Sequence, residues 1–427
     1  MIGSGRRYIL SISGGNILTS FGGTEKVIVT HQRLFNDSGI SYIYIYPVSK
    51  VFVKARLFYY WGVIVDGVFY GLLTIKQIIE KLIYICLKDG RLLKIHLHHL
   101  KNIDLIQIRE LLDAIESIEI FVYLHDYYLI CERYNLLNDD LKYCGNGVPS
   151  KEKCMGCKGL AYEHKAKERK ELINKYIDRV RFIAPSDSAA QIVGGSISSW
   201  KNKIDIIYHQ KLIGEYEGNT SCLEMKSQIK IAFCGLQLSI KGWPQYVNAV
   251  KKAQQDNMDH IFYHLGIEKK HVVGITNVPV GFQNNMFTMI EALRNNKIDC
   301  VILWSICPET YSYVYYECMS ANTFIITNVN SGNIADRVRE FGNGIVLNSD
   351  NELVKLICNK KRLVELINKM KHSDFRGPEY MKENDKIIQY SLERQSKELV
   401  SREMYISEKV NRKQRAVEFL YRKHFHI

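Results

Sequence analysis

Residues 300–328 read CVILWSICPETYSYVYYECMSANTFIITN, with two apolar runs on either side of a segment rich in aromatic residues. Cys300–Trp304 and Phe324–Asn328 are short and mostly apolar, which is typical of buried strands. The intervening residues near Tyr311–Ser320 predict a helix. A strand, a helix and a second strand in this order predict a βαβ unit of a parallel sheet.

The same alternation continues toward the amino end. Strands are predicted at Ile229–Cys234 and His260–Leu265, and helices at Pro244–Gln255 and Asn285–Leu293. An earlier series has predicted strands Tyr8–Ser13, Ser41–Tyr46, Leu92–His96, Ile118–Leu124, Phe182–Ala184 and Ile204–Ile207, helices Glu25–Asn36, Ile75–Leu87, Leu105–Ile115 and Tyr162–Val180, and a hairpin at Trp61–Phe69 that turns at Asp66-Gly67. Two such series predict an α/β protein with two doubly wound, Rossmann-like domains that face a central cleft.

A polar, turn-rich segment at 214–228 separates the two series. We therefore expect an amino-terminal domain at 1–213, which includes a Cys-rich loop at 131–159. A second domain is expected at 214–390, and a basic helical tail at 391–427. Domains of this size suit a chain of 427 residues.

Charge and apolar runs limit the function. The 58 Lys and Arg exceed the 45 Asp and Glu by 13, so a polyanionic partner is expected: nucleic acid, an acidic membrane face or a phosphate ligand. No groove-reading motif is present, which argues against nucleic acid. No apolar run suits a signal peptide or a spanning helix, and the eleven Cys residues suit reduced thiols. These features predict a cytoplasmic protein.

Two glycine-containing turns follow predicted first strands. Gly22 and Gly23 precede the first helix, and glycines there let backbone N–H groups approach a phosphate or a sugar. Any tight turn uses glycines, so that interpretation stays open. Gly235 and Lys241 lie at the matching place in the second series, where a lysine can neutralise a diphosphate. A surface lysine beside a capping glycine is the alternative.

Glu309 and Glu317 lie eight residues apart after a buried strand. On one helix this spacing is a little over two turns, so we expect both carboxylates on one face. Acids on an otherwise aromatic helix suit binding of hydroxyl groups or cations. The alternative is an acid that offsets the helix dipole and an unrelated surface glutamate.

The order of these features resembles the retaining glycosyltransferases of the GT-B fold, and in particular the large family 4 that builds bacterial surface polysaccharides. The resemblance runs from about residue 8 to 347 and is most specific at Cys300–Asp336. It includes Leu124-His125-Asp126 and the Ser331-Gly332-Asn333 turn. It implies a nucleotide-sugar donor, UDP- or GDP-linked, held mainly by the second domain, and an acceptor held mainly by the first.

The resemblance also implies roles for individual residues. Glu317 matches the acid that binds the ribose hydroxyls, Glu309 the acid beside the transferred sugar, and Lys241 the cation on the leaving diphosphate. The amides of Ser331, Gly332 and Asn333 match the turn that caps the phosphates. His125 matches a histidine that faces the sugar, and Gly22 and Gly23 match the loop that closes over donor and acceptor. Family enzymes require no divalent metal or other cofactor for catalysis.

The chain departs from the family at Gly235-Leu236, where relatives usually carry Gly-Arg. The resemblance implies transfer to a lipid-linked saccharide in capsule, O-antigen or exopolysaccharide assembly. Because no pair of residues suits a nucleophile with its base, front-face displacement is the expected retaining mechanism. The missing arginine favours an alternative: a catalytically weak GT-B-like protein that binds a sugar nucleotide or acts as a scaffold.

Two further clusters concern metals. Cys131, Cys144, Cys154 and Cys157 crowd one loop and end in a Cys-x2-Cys pair, which could hold a structural Zn²⁺. His96, His98 and His99 lie at the end of a predicted strand. Successive residues of a strand point to opposite faces, so His98 and His99 should diverge. We expect cleft-lining or satisfied core histidines there rather than a metal site.

The tail carries Arg412, Lys413, Arg415, Arg422 and Lys423 among apolar residues. A basic amphipathic helix can lie on an anionic membrane. A solvated helix is the alternative. Since the implied acceptor is lipid-linked, we expect attachment to the inner face of the plasma membrane as a peripheral protein.

Overall fold

The structure, a computed structural model, describes residues 5–20, 22–48, 60–88, 90–145, 154, 157, 162–216, 221–281, 286–393 and 412–425. The first half contains β1 (Arg6–Ile12), α1 (Gly23–Asp37), β2 (Ile40–Pro47), β3 (Trp61–Val65), β4 (Val68–Leu73), α2 (Ile75–Lys88), β5 (Gly90–Leu97), α3 (Leu105–Ala114), β6 (Ile120–Tyr123), α4 (Tyr162–Lys175), β7 (Val180–Ala184), α5 (Asp187–Ser196), β8 (Ile204–Ile206) and β9 (Gln210–Ile213). The second half contains β10 (Lys230–Cys234), α6 (Trp243–Gln255), β11 (Ile261–Leu265), β12 (Ile275–Val278), α7 (Met289–Asn295), β13 (Cys300–Ile302), α8 (Tyr313–Ser320), β14 (Phe324–Asn328), α9 (Asn333–Phe341), β15 (Gly344–Leu347), α10 (Asp350–Ile357), α11 (Lys360–Lys371), β16 (Tyr380–Glu383), α12 (Lys386–Glu393) and α13 (Arg412–Phe425).

The first sheet has eight strands in the order β4-β3-β2-β1-β5-β6-β7-β8. The six neighbouring strands β2-β1-β5-β6-β7-β8 are parallel, and β3 and β4 add an antiparallel hairpin at the edge beside β2. Asp66 and Gly67 both have positive φ, 50° and 84°, as a tight two-residue hairpin turn requires. The predicted hairpin and its turn are confirmed.

The second sheet is entirely parallel, in the order β12-β11-β10-β13-β14-β15. Alternate residues of β10 face opposite sides: Ile231 and Phe233 join one apolar cluster, and Ala232 and Cys234 join the other. Both faces are therefore covered, as predicted for doubly wound domains. In each sheet the strand order reverses beside the first strand, and ligands of such sheets bind at the carboxyl ends at that point.

A short two-stranded sheet joins distant parts of the chain. β9 pairs antiparallel with β16, from Gln210 opposite Glu383 to Ile213 opposite Tyr380. Beyond β16, α12 packs on the first sheet, where the ring of Tyr390 lies 5.3 Å from that of Phe121. The boundaries expected after residues 213 and 390 remain predictions.

Helix α13 packs on the edge strand β4. The Gln414 amide donates to Leu72 O at 2.6 Å, and Leu72 N donates to Glu418 Oε2 at 3.2 Å. These bonds satisfy backbone groups that an edge strand otherwise leaves unpaired. Tyr421 is buried, and its hydroxyl lies 2.9 Å from that of Tyr46. A fully solvated tail helix is therefore wrong for 412–425, while 394–411 lie outside the described residues.

Several element limits differ from the predictions. The helix predicted at Asn285–Leu293 begins at Met289, because Thr288 and Glu291 form a capping box. The helix expected near Tyr311 begins at Tyr313, capped by Ser312. Helix α5 was not predicted, since two glycines and two serines weaken its helical pattern. Within the described ranges, no helix is long and apolar enough to cross a membrane.

Candidate functional site

The centre of the cleft is an ion pair between Lys241 and Glu309. Lys241 Nζ lies 2.6 Å from Glu309 Oε1, which also accepts a hydrogen bond from Ser305 Oγ at 2.8 Å. Burial alone lowers the pKa of Lys241, but the Glu309 carboxylate outweighs it, so the pKa lies above its ordinary value. Lys241 is therefore a fixed cation at the carboxyl end of the second sheet.

Glu309 does not lie on a helix, so the expectation that Glu309 and Glu317 share one helix face is wrong. The physical reason is the cap at Ser312, which makes α8 begin at Tyr313, four residues after Glu309. Glu309 instead bonds along its backbone to the 331–333 turn. Glu309 N donates to Ser331 O at 3.2 Å, and Asn333 N donates to Glu309 O at 2.9 Å.

Gly332 allows this close approach. Its φ is 59°, and a β-carbon there would lie 2.7 Å from both the backbone N and O of Glu309. The turn leads into α9, whose amino end carries a partial positive charge. The amide of Ser331 donates to Asn328 O at 3.1 Å, and that of Asn333 donates to Glu309 O, so these two predicted phosphate ligands already have partners within the protein. Ser331 Oγ donates to Ser305 O at 2.9 Å, which holds the turn in place. Ser331, Gly332 and Asn333 thus lie beside Glu309 and Lys241.

Gly235 ends β10 with φ of 103°, and open space lies where its β-carbon would project. The residue after it, Leu236, is 45% exposed. Gly242 follows Lys241 with φ of 83°, and a β-carbon there would lie 2.1 Å from Trp304 O. The backbone next to Lys241 therefore approaches Trp304, just beyond β13, at a distance that only glycine permits.

Glu317 lies on α8 and is half-buried. Burial raises its pKa to about 7, and the opposing effect of the Lys26 ammonium does not reverse this. None of the described residues donates a hydrogen bond to its carboxylate. Lys26 comes from α1 of the first domain and lies 4.0 Å from the ring centre of Tyr313. Helices α1 and α8 therefore meet across the cleft.

His125 follows β6 and contacts the second domain. Its carbonyl accepts a hydrogen bond from Thr310 Oγ1 at 2.6 Å, and Ser186 Oγ donates to Thr310 O at 2.6 Å. Burial and the neighbouring His209 lower the pKa of His125 well below its usual range, so the ring is neutral. Thr310, the residue next to Glu309, is thus hydrogen-bonded to the first domain through both its side chain and its carbonyl group.

Gly22 caps the amino end of α1, and a β-carbon there would lie 2.6 Å from Glu25 Oε2. Gly23 has open space at the same position. Lys26, which reaches Tyr313, lies in the first turn of the same helix. The glycine turn therefore lies at the entrance of the cleft on the first-domain side.

None of the four loop cysteines forms a disulfide with another described residue. Cys157 N donates to Cys154 O at 3.0 Å, which closes the Cys-x2-Cys turn. Burial raises the pKa of Cys144, and Cys157, Cys131 and Cys154 raise it further, so the four thiols converge. Within the described part of the chain, no three of these sulfurs lie within 4.8 Å of one another.

A cavity of about 630 Å³ lies between this loop and the second domain. Lys142 and Tyr143 line it on one side, and Ser239, Gln245 and Ile306 on the other. Ser239 begins the short turn that ends at Lys241. The cavity therefore opens beside the Lys241–Glu309 pair.

Sequence reasoning missed Ser305, Thr310, Ser186 and Lys26. The hydroxyl groups of Ser186 and Thr310 form no sequence motif with their partners, because those partners lie 124 and 185 residues away along the chain. Lys26 had one usable signal: it follows the Gly22-Gly23 turn in the first turn of a helix.

No protein-family model and no curated protein sequence matches the chain. Among solved structures, sucrose-phosphate synthase from Thermosynechococcus elongatus is similar at a TM-score of 0.50 and 11% identity, covering 87% of this chain and 95% of that one. Anabaena HepE, solved with UDP-glucose, gives 0.49 and 12% identity, covering 85% and 92%. Together with the two doubly wound sheets, the first likeness defines a two-domain, Rossmann-like GT-B fold.

Proposed function

We propose that the chain is a retaining glycosyltransferase that moves a sugar from a nucleotide-sugar donor to a saccharide acceptor. The observation that carries this is the Lys241–Glu309 pair, joined through the Glu309 backbone to the turn at Gly332. A fixed cation, the amino terminus of a helix and a carboxylate within one cleft suit a diphosphate and its sugar.

The donor lies mainly on the second domain. Glu317 accepts hydrogen bonds from the ribose hydroxyls, which fits a carboxylate that receives no hydrogen bond from the described residues. The diphosphate lies between Lys241 and the turn of Ser331, Gly332 and Asn333, where the Gly332 amide and the amino end of α9 bind it. UDP- and GDP-sugars are the donor classes to test first, and HepE was solved with UDP-glucose.

The reaction proceeds by front-face displacement. The bond from the anomeric carbon to the diphosphate oxygen breaks, and the electron pair leaves with the diphosphate. The acceptor hydroxyl attacks the same face, and its proton passes to the leaving oxygen. Lys241 and the amino end of α9 stabilise the developing charge, so no divalent metal is needed. Glu309 and the neutral ring of His125 orient the sugar.

A catalytically weak, sugar-nucleotide-binding or scaffolding protein is the second candidate. The exposed Leu236, at the position of the family's arginine, favours it. Lys26 argues against it, because its ammonium lies close enough to Glu317 to lower the pKa of that carboxyl. In the active enzyme Lys26 supplies the second cation from the other domain.

The acceptor is a lipid-linked saccharide that enters through the cavity lined by Tyr143 and Ile306. Helix α13 supports a membrane location: Phe419 and Leu420 are 67% and 61% exposed. Arg415 and Lys423, one turn to either side, are also exposed. Exposed apolar residues flanked by cations suit the surface of an anionic membrane. The protein is therefore peripheral on the cytoplasmic face.

Vesicle flotation tests this location. The wild-type protein should float with vesicles containing anionic lipid and not with neutral ones. Replacing Phe419 and Leu420 by Ser should abolish flotation, whereas replacing the exposed Val273 of the second domain should not. Equal flotation of all three proteins would argue against attachment through α13.

The loop cysteines hold a structural zinc ion. Burial raises the pKa of Cys131, and hydrogen bonds from the backbone at Arg133 and Leu136 offset part of this rise; the same hydrogen bonds would stabilise a metal-bound thiolate. Metal analysis should give zinc that is lost in a Cys154→Ser, Cys157→Ser variant and retained in a Cys222→Ser control. Zinc content unaffected by the double substitution would refute this assignment.

The function itself is tested with a panel of UDP-, GDP- and dTDP-sugars and a synthetic lipid-diphosphate acceptor. One donor should release its nucleoside diphosphate, and Glu309→Ala should cripple this while the circular dichroism spectrum is unchanged. A donor that binds without turnover would favour the scaffold. Binding of no donor would refute both candidates.

A further inference from the structure

Three imidazole rings lie together beneath the cleft, in the core of the first domain. His96 lies on β5 and His98 directly follows this strand, so the two side chains, two residues apart along the extended chain, project from the same face of the sheet. His31 is on the buried face of α1, which covers that face. His31 is 7% exposed, His96 0% and His98 1%. One nitrogen of each ring lies within 4.8 Å of a nitrogen of each of the other two rings. His99 diverges, as predicted, and lies 2.9 Å from Asp126.

Two nitrogens of this cluster lack a partner. His31 Nδ1 and His96 Nε2 are buried, and no described atom forms a hydrogen bond with either. The prediction of a satisfied core histidine is therefore wrong for His96. Burial lowers the pKa of His31 to about 3 and that of His96 and His98 well below the usual range. All three rings are neutral at physiological pH, so each has one nitrogen lone pair that can accept a hydrogen bond or bind a metal.

The opposite nitrogens are held by neighbouring side chains. Tyr123 Oη lies 3.2 Å from His96 Nδ1, and His125 Nε2 lies 2.8 Å from His98 Nδ1. Histidines that bind metals usually use one ring nitrogen for the metal and the other for such an outer partner, which fixes the ring. These two contacts leave Nε2 of both rings directed away from their outer partners.

We propose that His31 Nδ1, His96 Nε2 and His98 Nε2 bind a divalent first-row transition cation. The ring centres are 5.7–6.2 Å apart. With nitrogen–zinc bonds of about 2.0–2.1 Å, tetrahedral ligand nitrogens lie ~3.3 Å apart. A small approach of the three rings meets this requirement. Neutral imidazole ligands suit Zn²⁺, Co²⁺, Ni²⁺ or Cu²⁺ rather than Mg²⁺ or Ca²⁺.

The ion would replace one contact of the present arrangement. Tyr42 Oη lies 3.3 Å from His98 Nε2, and it would yield that nitrogen to the metal. His98 bound in this way carries its proton on Nδ1 and donates it to His125 Nε2. His125 is then held as the tautomer protonated on Nδ1. The effect of this tautomer on the reaction rests on the proposed function, in which His125 faces the sugar. The metal site itself does not rest on that function.

Cobalt uptake tests the site. Metal-free protein in a Cys154→Ser, Cys157→Ser background is titrated with Co²⁺ and followed by visible absorption, so that the cysteine loop does not contribute. The background should take up one Co²⁺ per chain with nitrogen-ligand d–d bands. His96→Phe retains an aromatic ring beside Phe121 and should lose this uptake, as should His31→Gln. The control His260→Gln, in the second domain, should retain it.

Equal Co²⁺ uptake by the background and both cluster variants, or none by the background, would overturn the proposal. Should the variants fail to fold by circular dichroism, anomalous diffraction from crystals of the wild-type chain grown with Co²⁺ gives the answer. A peak between the three rings supports the site, and a peak only elsewhere, or none, rejects it. Metal uptake is read without any donor, so its failure is distinct from failure of the proposed transferase activity.

Discussion

Replacing Glu317 with Gln should change how stability depends on pH. Burial raises the pKa of this carboxyl from 4.5 to about 7. Moving a pKa by that amount corresponds to about 3 kcal/mol of unfolding free energy, as an upper value. The folded protein keeps its proton while the unfolded chain releases it above its own pKa. The wild type therefore loses stability as pH rises from 4.5 through 7, and the variant does not.

The assay is chemical denaturation followed through tryptophan fluorescence at several pH values. The stability of Glu317→Gln relative to wild type should rise between about pH 5 and about pH 8 by up to ~3 kcal/mol. Glu365→Gln, on the exposed surface of α11, is the matched control. Its free energy of unfolding should vary with pH as that of the wild type does. Parallel curves for Glu317→Gln and wild type would refute the burial argument.

The affinity for the donor should also depend on the protonation of Glu317, but this affinity should increase as the pH rises. If the ionised carboxylate accepts the ribose hydroxyls, its charged fraction rises from about one tenth near pH 6 to about nine tenths near pH 8. The affinity for the donor that binds in the panel should increase by about tenfold over this range. Calorimetry should find a flat profile for Glu317→Gln. A flat profile for wild type would contradict the assigned role.

Three further predictions concern other parts of the molecule. Lys241→Met should lower the rate of diphosphate release by about 10²–10³-fold with an unchanged fold, measured by steady-state kinetics, and a loss under tenfold would contradict its role. Gly332→Ala should cost stability by ~1–3 kcal/mol or more, because of the positive φ and the clash with Glu309, and denaturation within 0.5 kcal/mol of wild type would argue against that geometry. Tyr421→Phe should lose the contacts to Tyr46 and Asn16 and destabilise by ~1–2 kcal/mol, and no change in midpoint would mean that α13 does not hold this edge.

The strands and most helices could be predicted from the sequence, because their apolar periodicity reflects burial on the two faces of each sheet. Strand Phe324–Asn328 agrees with its predicted limits. Helix α5 could not be predicted in this way. Its Gly194-Gly195 pair lowers helix propensity, and packing against the 198–203 turn overrides that preference.

Parts of the site depend on contacts between distant residues, which a single sequence does not carry. Glu309 was expected on a helix because its spacing to Glu317 fits one. The pairing of its backbone with the turn at Gly332 decides otherwise, and that pairing spans more than twenty residues. His31 was not associated with His96 and His98 for the same reason: α1 and β5 meet only in the folded domain.

The central claim is that one nucleotide-sugar binds between the domains on Lys241, Glu309 and Glu317. A crystal structure with the donor from the panel tests it most directly. The account predicts ribose hydroxyls on the Glu317 carboxylate and the diphosphate between Lys241 and the amide of Gly332. A nucleotide bound away from these groups, or a diphosphate without contact to Lys241, would contradict it.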